Sequence, residues 1–173
     1  MQRYTGLCNK IAAQRAGGIG MKKTNQILVA GCGRLGSNLA GMLCKCGHRV
    51  TVVDRDAAAF RRLAADFSGF EVQGDATDPD VLEAAGIGRA ALLAAVTEND
   101  NVNCMIAQIA ARLYGLGQVY ARFEDPELEY LVEGLGVHVI CPAELSLQEF
   151  YRSGLLAREG AEGPLARWGE ERA

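Results

Sequence analysis

The segment 26-QILVAGCGRLGSNLAGMLCKCGHRVTVVDRD-56 decides the fold. Gln26-Ile27-Leu28-Val29-Ala30 reads as a buried strand. Gly31, Gly33 and Gly36 then give GxGxxG, and helical spacing follows from Leu35 to Cys46. A glycine turn that follows a strand and opens a helix is the context a dinucleotide-binding loop requires. Gly31 permits the tight turn. Gly33 lets the backbone approach a diphosphate, and Gly36 lets the helix lie close to the strand. The amides of the loop Gly31-Cys32-Gly33-Arg34-Leu35-Gly36 point at the phosphates, and the helix dipole favours their charge.

Arg49-Val50-Thr51-Val52-Val53-Asp54 is the second strand, and Asp54 ends it. A carboxylate there accepts hydrogen bonds from both ribose hydroxyls and repels a 2′-phosphate, which disfavours NADP. Arg55 follows. It can stack on adenine, hold a phosphate or stand as a surface arginine.

Outward from this unit the pattern repeats. Residues 57–66 are Ala-rich and read as a helix with Phe60, Leu63 and Ala64 on one face. Phe70-Glu71-Val72-Gln73 is a short third strand, and Pro79 suits the first turn of a helix ending near Gly86. Ala91 to Val96 is an uninterrupted apolar run, as expected for a strand covered on both faces. The strongest helix signal runs from 99 to 114, where Val102, Met105, Ile106, Ile109, Ala110 and Leu113 recur at helical spacing. Gln118 to Arg122 is the fifth strand, Pro126 to Glu133 a helix, Val137 to Cys141 the sixth strand and 142–152 a last helix. This alternation predicts an α/β, Rossmann-like doubly wound fold. Its six-stranded parallel sheet takes the order 3-2-1-4-5-6.

Later loops at the carboxyl ends of the strands add candidates. Gly74-Asp75-Ala76-Thr77 closes the third strand beside the expected adenine position. Asp75 can accept from an adenine amino group, or Asp75 or Thr77 can cap the next helix. Thr97-Glu98-Asn99-Asp100 follows the fourth strand, where ligands bind. That stretch equally fits a helix start with acids matched to the dipole. Arg34 can reach phosphate beyond a diphosphate, or a partner subunit. Arg122 ends the fifth strand on the same rim and can do likewise, or pair with Glu124 or Asp125.

Composition narrows the function classes. The 173 residues carry a net charge of −3, with 49% apolar and 23% charged residues. That suits one globular domain with short tails and argues against nucleic acid as partner. No apolar run approaches the roughly 18 residues needed to cross a bilayer, so a membrane link is expected to run through another protein. The six cysteines Cys8, Cys32, Cys44, Cys46, Cys104 and Cys141 include no CxxC pair. They read as free thiols of a reducing cytosol rather than as a metal site. Residues 1–23 read as an N-terminal extension, with Met21 a natural start. Residues 24–152 form the domain, and 153–173 a polar tail whose bulky apolar groups are Leu155, Leu156, Leu165 and Trp168.

Taken in order, GCGRLG, VTVVDRD, GDAT, AAVTENDNVN and ARFEDPE resemble the N-terminal regulatory domain of Trk/Ktr potassium uptake, the TrkA-N or RCK N-terminal domain. The resemblance covers about residues 25–150. It implies a regulatory subunit on the cytoplasmic side of the membrane that binds NAD(H) or ATP, ADP or AMP. Such subunits assemble as dimers and then rings beneath a membrane potassium transporter subunit, and ligand exchange gates the pore. By position it assigns phosphates to Gly31, Gly33, Arg34 and Gly36, ribose to Asp54 and adenine to Asp75-Ala76. Arg122 matches the family's basic residue after the fifth strand. The family usually continues into a C-terminal lobe of roughly 80 residues, where this chain has only its tail. A separate subunit supplying that lobe, or a shortened version of the protein, is the expectation.

Two other classes compete. A small NAD-dependent oxidoreductase needs a proton donor and a substrate pocket. No lysine follows Lys45, and both histidines, His48 and His138, read as structural. An assembly module with a permanently bound nucleotide is the third class. The expected self-association surface is the helix after 142, with Leu145, Leu147, Phe150 and Tyr151.

Overall fold

The computed structural model describes residues 25–154. The expected extension and all of the tail beyond Gly154 lie outside the described residues. Six parallel strands form one sheet: β1 (Gln26–Ala30), β2 (Arg49–Asp54), β3 (Phe70–Gln73), β4 (Leu92–Ala95), β5 (Val119–Arg122) and β6 (Val137–Ile140). Their order is β3-β2-β1-β4-β5-β6, as expected from the sequence. β1 is central, with Ala30 in register with Val53 of β2 and Ala95 of β4. Three strands therefore end side by side under the glycine loop. Among the described residues four α-helices connect or follow them: α1 (Arg34–Lys45), α2 (Pro79–Ala84), α3 (Asp100–Gln108) and α4 (Pro142–Arg152).

The core lies on both sides of the sheet because strand side chains alternate between faces. Leu28, Ala30, Leu93, Ala95 and Ala121 meet Leu82 of α2, Ile106 of α3 and Phe123 on one side. Ile27, Val29, Val50, Val52 and Ala94 meet Ala40 of α1 and Ala59 on the other. Cover on both faces explains why the central strands β1 and β4 read as apolar runs, whereas β3 and β6 at the sheet's edges do not.

Three expected helices take a different form. Ala57–Arg62 is a 3-10 turn capped by Asp56, and Leu63 leaves it in an extended conformation. Phe60 and Leu63 pack on the core as expected, but Ala64 is exposed. Pro126–Val132 is likewise a 3-10 segment. The long helix expected over 99–114 is α3 followed by a π turn, Ile109–Leu113. The wide turn shifts its last residue, Leu113, off the buried stripe, and Leu113 is 63% exposed. Among the described residues, no helix is long and apolar enough to cross a membrane.

The cysteine reading needs one correction. Cys32, Cys44, Cys104 and Cys141 are free thiols, but Cys46 is disulfide-bonded. Cys8 lies outside the described residues.

Candidate functional site

The glycine loop is set by backbone contacts that only glycine permits. Gly31 has φ +104°, and its amide donates to the Val53 carbonyl at 2.8 Å. A β-carbon there would lie 2.9 Å from the Thr97 amide nitrogen. The loop is thus wedged between the ends of β2 and β4. At Gly36 a β-carbon would lie 1.9 Å from the Gly31 carbonyl oxygen, so α1 presses directly on the turn that precedes it. Gly33 differs. The nearest atom to a β-carbon there is Glu98 Oε1 at 4.0 Å, so the space above Gly33 is open. Gly33 is also the N-cap of α1, with no side-chain capping bond and no acid in the first helical turn. That leaves helix-start amides and the positive end of the dipole facing open space, the arrangement a phosphate requires.

Open space and loop belong to one cleft of about 420 Å³. Its lining brings together Gly31, Gly33, Arg34, Asp54, Arg55, Asp75, Ala76 and Thr97 of the sequence candidates. Cys32, Leu35, Gly36 and Arg122 lie outside that lining. Cys32 is fully buried, and Leu35 is 45% exposed elsewhere on the helix. Burial, reinforced by the nearby Asp54 carboxylate, pushes the Cys32 thiol up to about 11, so it stays neutral.

Asp54 ties the loop to β2. Its Oδ2 accepts from the Cys32 amide at 2.6 Å and its Oδ1 from the Asp56 amide at 2.9 Å. The Asp75 Oδ1 accepts from the Thr77 amide at 2.9 Å and from its hydroxyl at 2.7 Å. Those bonds hold the Asp75 carboxyl below its ordinary value, the amide contributing most. Its Oδ2 lies 3.8 Å from Arg55 Nη1, a weak exposed pair. The cap of α2 is neither Asp75 nor Thr77 but Asp78, whose side chain accepts from the Asp80 amide.

The fourth-strand loop serves as both a cleft wall and a helix start. Asn99 caps α3 through the Val102 amide at 3.1 Å. The Asp100 carboxylate reaches across to accept from the amides of Glu124 and Asp125. Arg122 donates through Nη1 to the Thr97 carbonyl at 3.0 Å and pairs with Glu124. The ion-pair reading of Arg122 is therefore the one its geometry carries. His48 Nδ1 lies 2.5 Å from Asn25 Oδ1, and the His138 ring stacks on Tyr120 at 4.8 Å. Neither histidine lines the cleft.

Sequence reasoning missed Ala59, Arg62 and Val102 as lining residues. Arg62 carried no signal, because a basic residue on an Ala-rich helical stretch reads as its solvated face. It also missed Asn103, a fully buried polar residue on the apolar stripe of α3. That interruption of the stripe was the available signal.

The family described as the TrkA-N domain matches residues 27–142. A Trk system potassium uptake protein TrkA of Streptomyces coelicolor is 40% identical over 141 residues, which cover 82% of this chain and 62% of that protein. A TrkA homolog of Methanothermobacter thermautotrophicus is 32% identical over 117 residues, covering 67% of this chain and 54% of that one. The chain thus spans little more than half the length of these relatives. Solved structures share the fold. The GsuK channel bound to NAD superposes with a TM-score of 0.63 at 22% identity, covering 79% of this chain and 24% of that one. GsuK bound to ADP gives 0.63 at 22% identity, covering 86% and 37%.

Proposed function

This chain belongs to the TrkA-N domain family, and from that premise we propose that it is a nucleotide-binding regulatory subunit of a membrane potassium transporter. Exchange of NAD(H) or of ATP, ADP and AMP in the cleft biases the transporter between states. The observation that carries the reading is the start of α1, an uncapped helix end over open space at Gly33, in one cleft with Asp54 and Asp75. A diphosphate fits the first, a ribose the carboxylate of Asp54, and adenine the Asp75-Ala76 segment. GsuK, whose fold this chain shares, has been solved with NAD and with ADP, which supports an adenosine diphosphate moiety as the common ligand.

A regulatory role is favoured over catalysis by the lining itself. Among the described residues the cleft lining holds no tyrosine, lysine or histidine, and its acids Asp54 and Asp75 are engaged as acceptors of backbone amides. Proton-transfer chemistry on a bound nicotinamide needs a donor at hydrogen-bond reach. A switch needs only different ligand affinities in two states. Arg34 lines the cleft at the start of α1 and is the proposed reader of charge beyond the second phosphate. Self-association is proposed through α4, which buries no residue and exposes Leu145, Leu147 and Phe150 by 47–53%. In this reading the subunit acts on the cytoplasmic side, peripheral to the membrane through its transporter partner.

The test compares affinities for ATP, ADP, AMP, NAD⁺ and NADH in the wild type, Arg34→Ala and Asp54→Ala. Asp54→Ala is expected to weaken every ligand, and Arg34→Ala chiefly those with a third phosphate. Equal affinities throughout, unchanged by either substitution, would remove the reading.

A further inference from the structure

Asn103 is wholly buried, yet it lies among the apolar residues of α3. Its carboxamide is saturated. Oδ1 accepts from the Thr97 amide at 2.9 Å and from the Thr97 hydroxyl at 2.7 Å. Nδ2 donates to the Thr97 carbonyl at 3.0 Å and to the Arg122 carbonyl at 2.8 Å. Both lone pairs and both amide hydrogens are thereby used. A flipped carboxamide would set its oxygen against two carbonyls and its NH₂ against the Thr97 amide, so the orientation has no rival. One side chain thus grips the amide, hydroxyl and carbonyl of a single cleft residue and bolts them to the end of β5.

The gripped residue is the wall against which the glycine loop rests. A β-carbon on Gly31 would meet the Thr97 nitrogen at 2.9 Å, and Glu98, one residue on, is the nearest group to Gly33. The position of the Thr97–Glu98 wall therefore sets the width of the cleft over the start of α1. Asp54 and Asp75 depend on other partners, namely Cys32, Asp56 and Thr77.

We propose that Asn103 is a positioning residue for the diphosphate end of the nucleotide cleft, acting through Thr97 without touching the ligand. The inference rests on the nucleotide reading above. It predicts an effect divided along the ligand. Removing the carboxamide leaves the Thr97 carbonyl held by Arg122 Nη1 alone, loosening the wall beside the phosphates while the adenosine end stays in place. A buried group that served stability alone would weaken both ends alike, or neither.

The experiment measures dissociation constants for ADP and for adenosine in the wild type and in Asn103→Ala, with melting curves of both. The expected result is ADP weakened about tenfold, as for a buried hydrogen-bonding group left unmatched, with adenosine changed by less than about twofold. An unchanged ADP-to-adenosine ratio in a folded variant overturns the inference while leaving the nucleotide reading intact. A wild type that binds neither ligand overturns both. If Asn103→Ala does not fold, amide hydrogen exchange in the wild type decides. Slower exchange of the Thr97 amide with ADP but not with adenosine supports the inference, and an equal response to the two ligands overturns it.

Discussion

The start of α1 and the starts of α2 and α3 are built by opposite rules. Asp78, Asn99, Asp56 and Asp125 each cap their own segment by accepting a backbone amide. The helix α4 lacks such a bond but carries Glu144 in its first turn. At α1 the cap is Gly33, with neither a capping side chain nor an acid. A side-chain cap is worth about 1 kcal/mol, so leaving it out sacrifices stability. At those four starts the chain meets its own backbone amides with its own oxygens. At the cleft that place stays open, as the proposed anion site requires.

The contrast can be broken most forcefully at the glycines. Gly36→Ala drives a β-carbon to within 1.9 Å of the Gly31 carbonyl oxygen, a backbone atom with little room to yield. We expect a loss of about 3 kcal/mol, seen as a lower denaturation midpoint. Wild-type stability in that variant would mean that α1 does not press on the turn. Gly33→Ala meets open space and keeps an ordinary backbone, φ −68° and ψ −169°. Its stability should fall by less than about 1 kcal/mol, while ADP affinity drops at least about tenfold because the methyl group occupies the phosphate position. Unaltered binding would move the diphosphate elsewhere.

At the capped starts the expected pattern reverses. Asp78→Ala should cost about 1 kcal/mol of stability and leave ADP affinity unchanged. A matching loss of affinity would contradict the separation of capped and ligand-ready starts. The smallest effect concerns Asp75. Its carboxyl titrates below its ordinary value because the Thr77 amide and hydroxyl favour the charged form. The lowered folded-state value gives stability above the ordinary carboxylate range, and that stability is lost as pH falls through the folded value. The melting temperature of the wild type should therefore fall more steeply below about pH 4 than that of Asp75→Asn. A shallower slope in the wild type would reverse the assignment.

Much of this was legible in the sequence, for a physical reason. Strands covered on both faces announce themselves as apolar runs, and the glycine loop fixes the first crossover, so the strand order follows. Helix form was less legible. The 3-10 geometry of Ala57–Arg62 and the π turn after Gln108 each change the turn by one residue or less, below what apolar spacing reports. In the cleft, the residues on strand ends were found because the topology gathers strand ends. Arg62 and Val102 reach it from helical segments, where local pattern is silent about direction. Arg122 shares the rim but spends its guanidinium on Thr97 and Glu124, a choice visible only once three loops are in place.

The central claim is that the open start of α1 binds the diphosphate of an adenine nucleotide. Calorimetric titration of the chain with ADP, run beside Gly33→Ala, tests it most directly. The account predicts one site per chain in the wild type and a loss of at least about tenfold in the variant at nearly unchanged stability. Absence of binding to the wild type, or equal binding to both proteins, would contradict it.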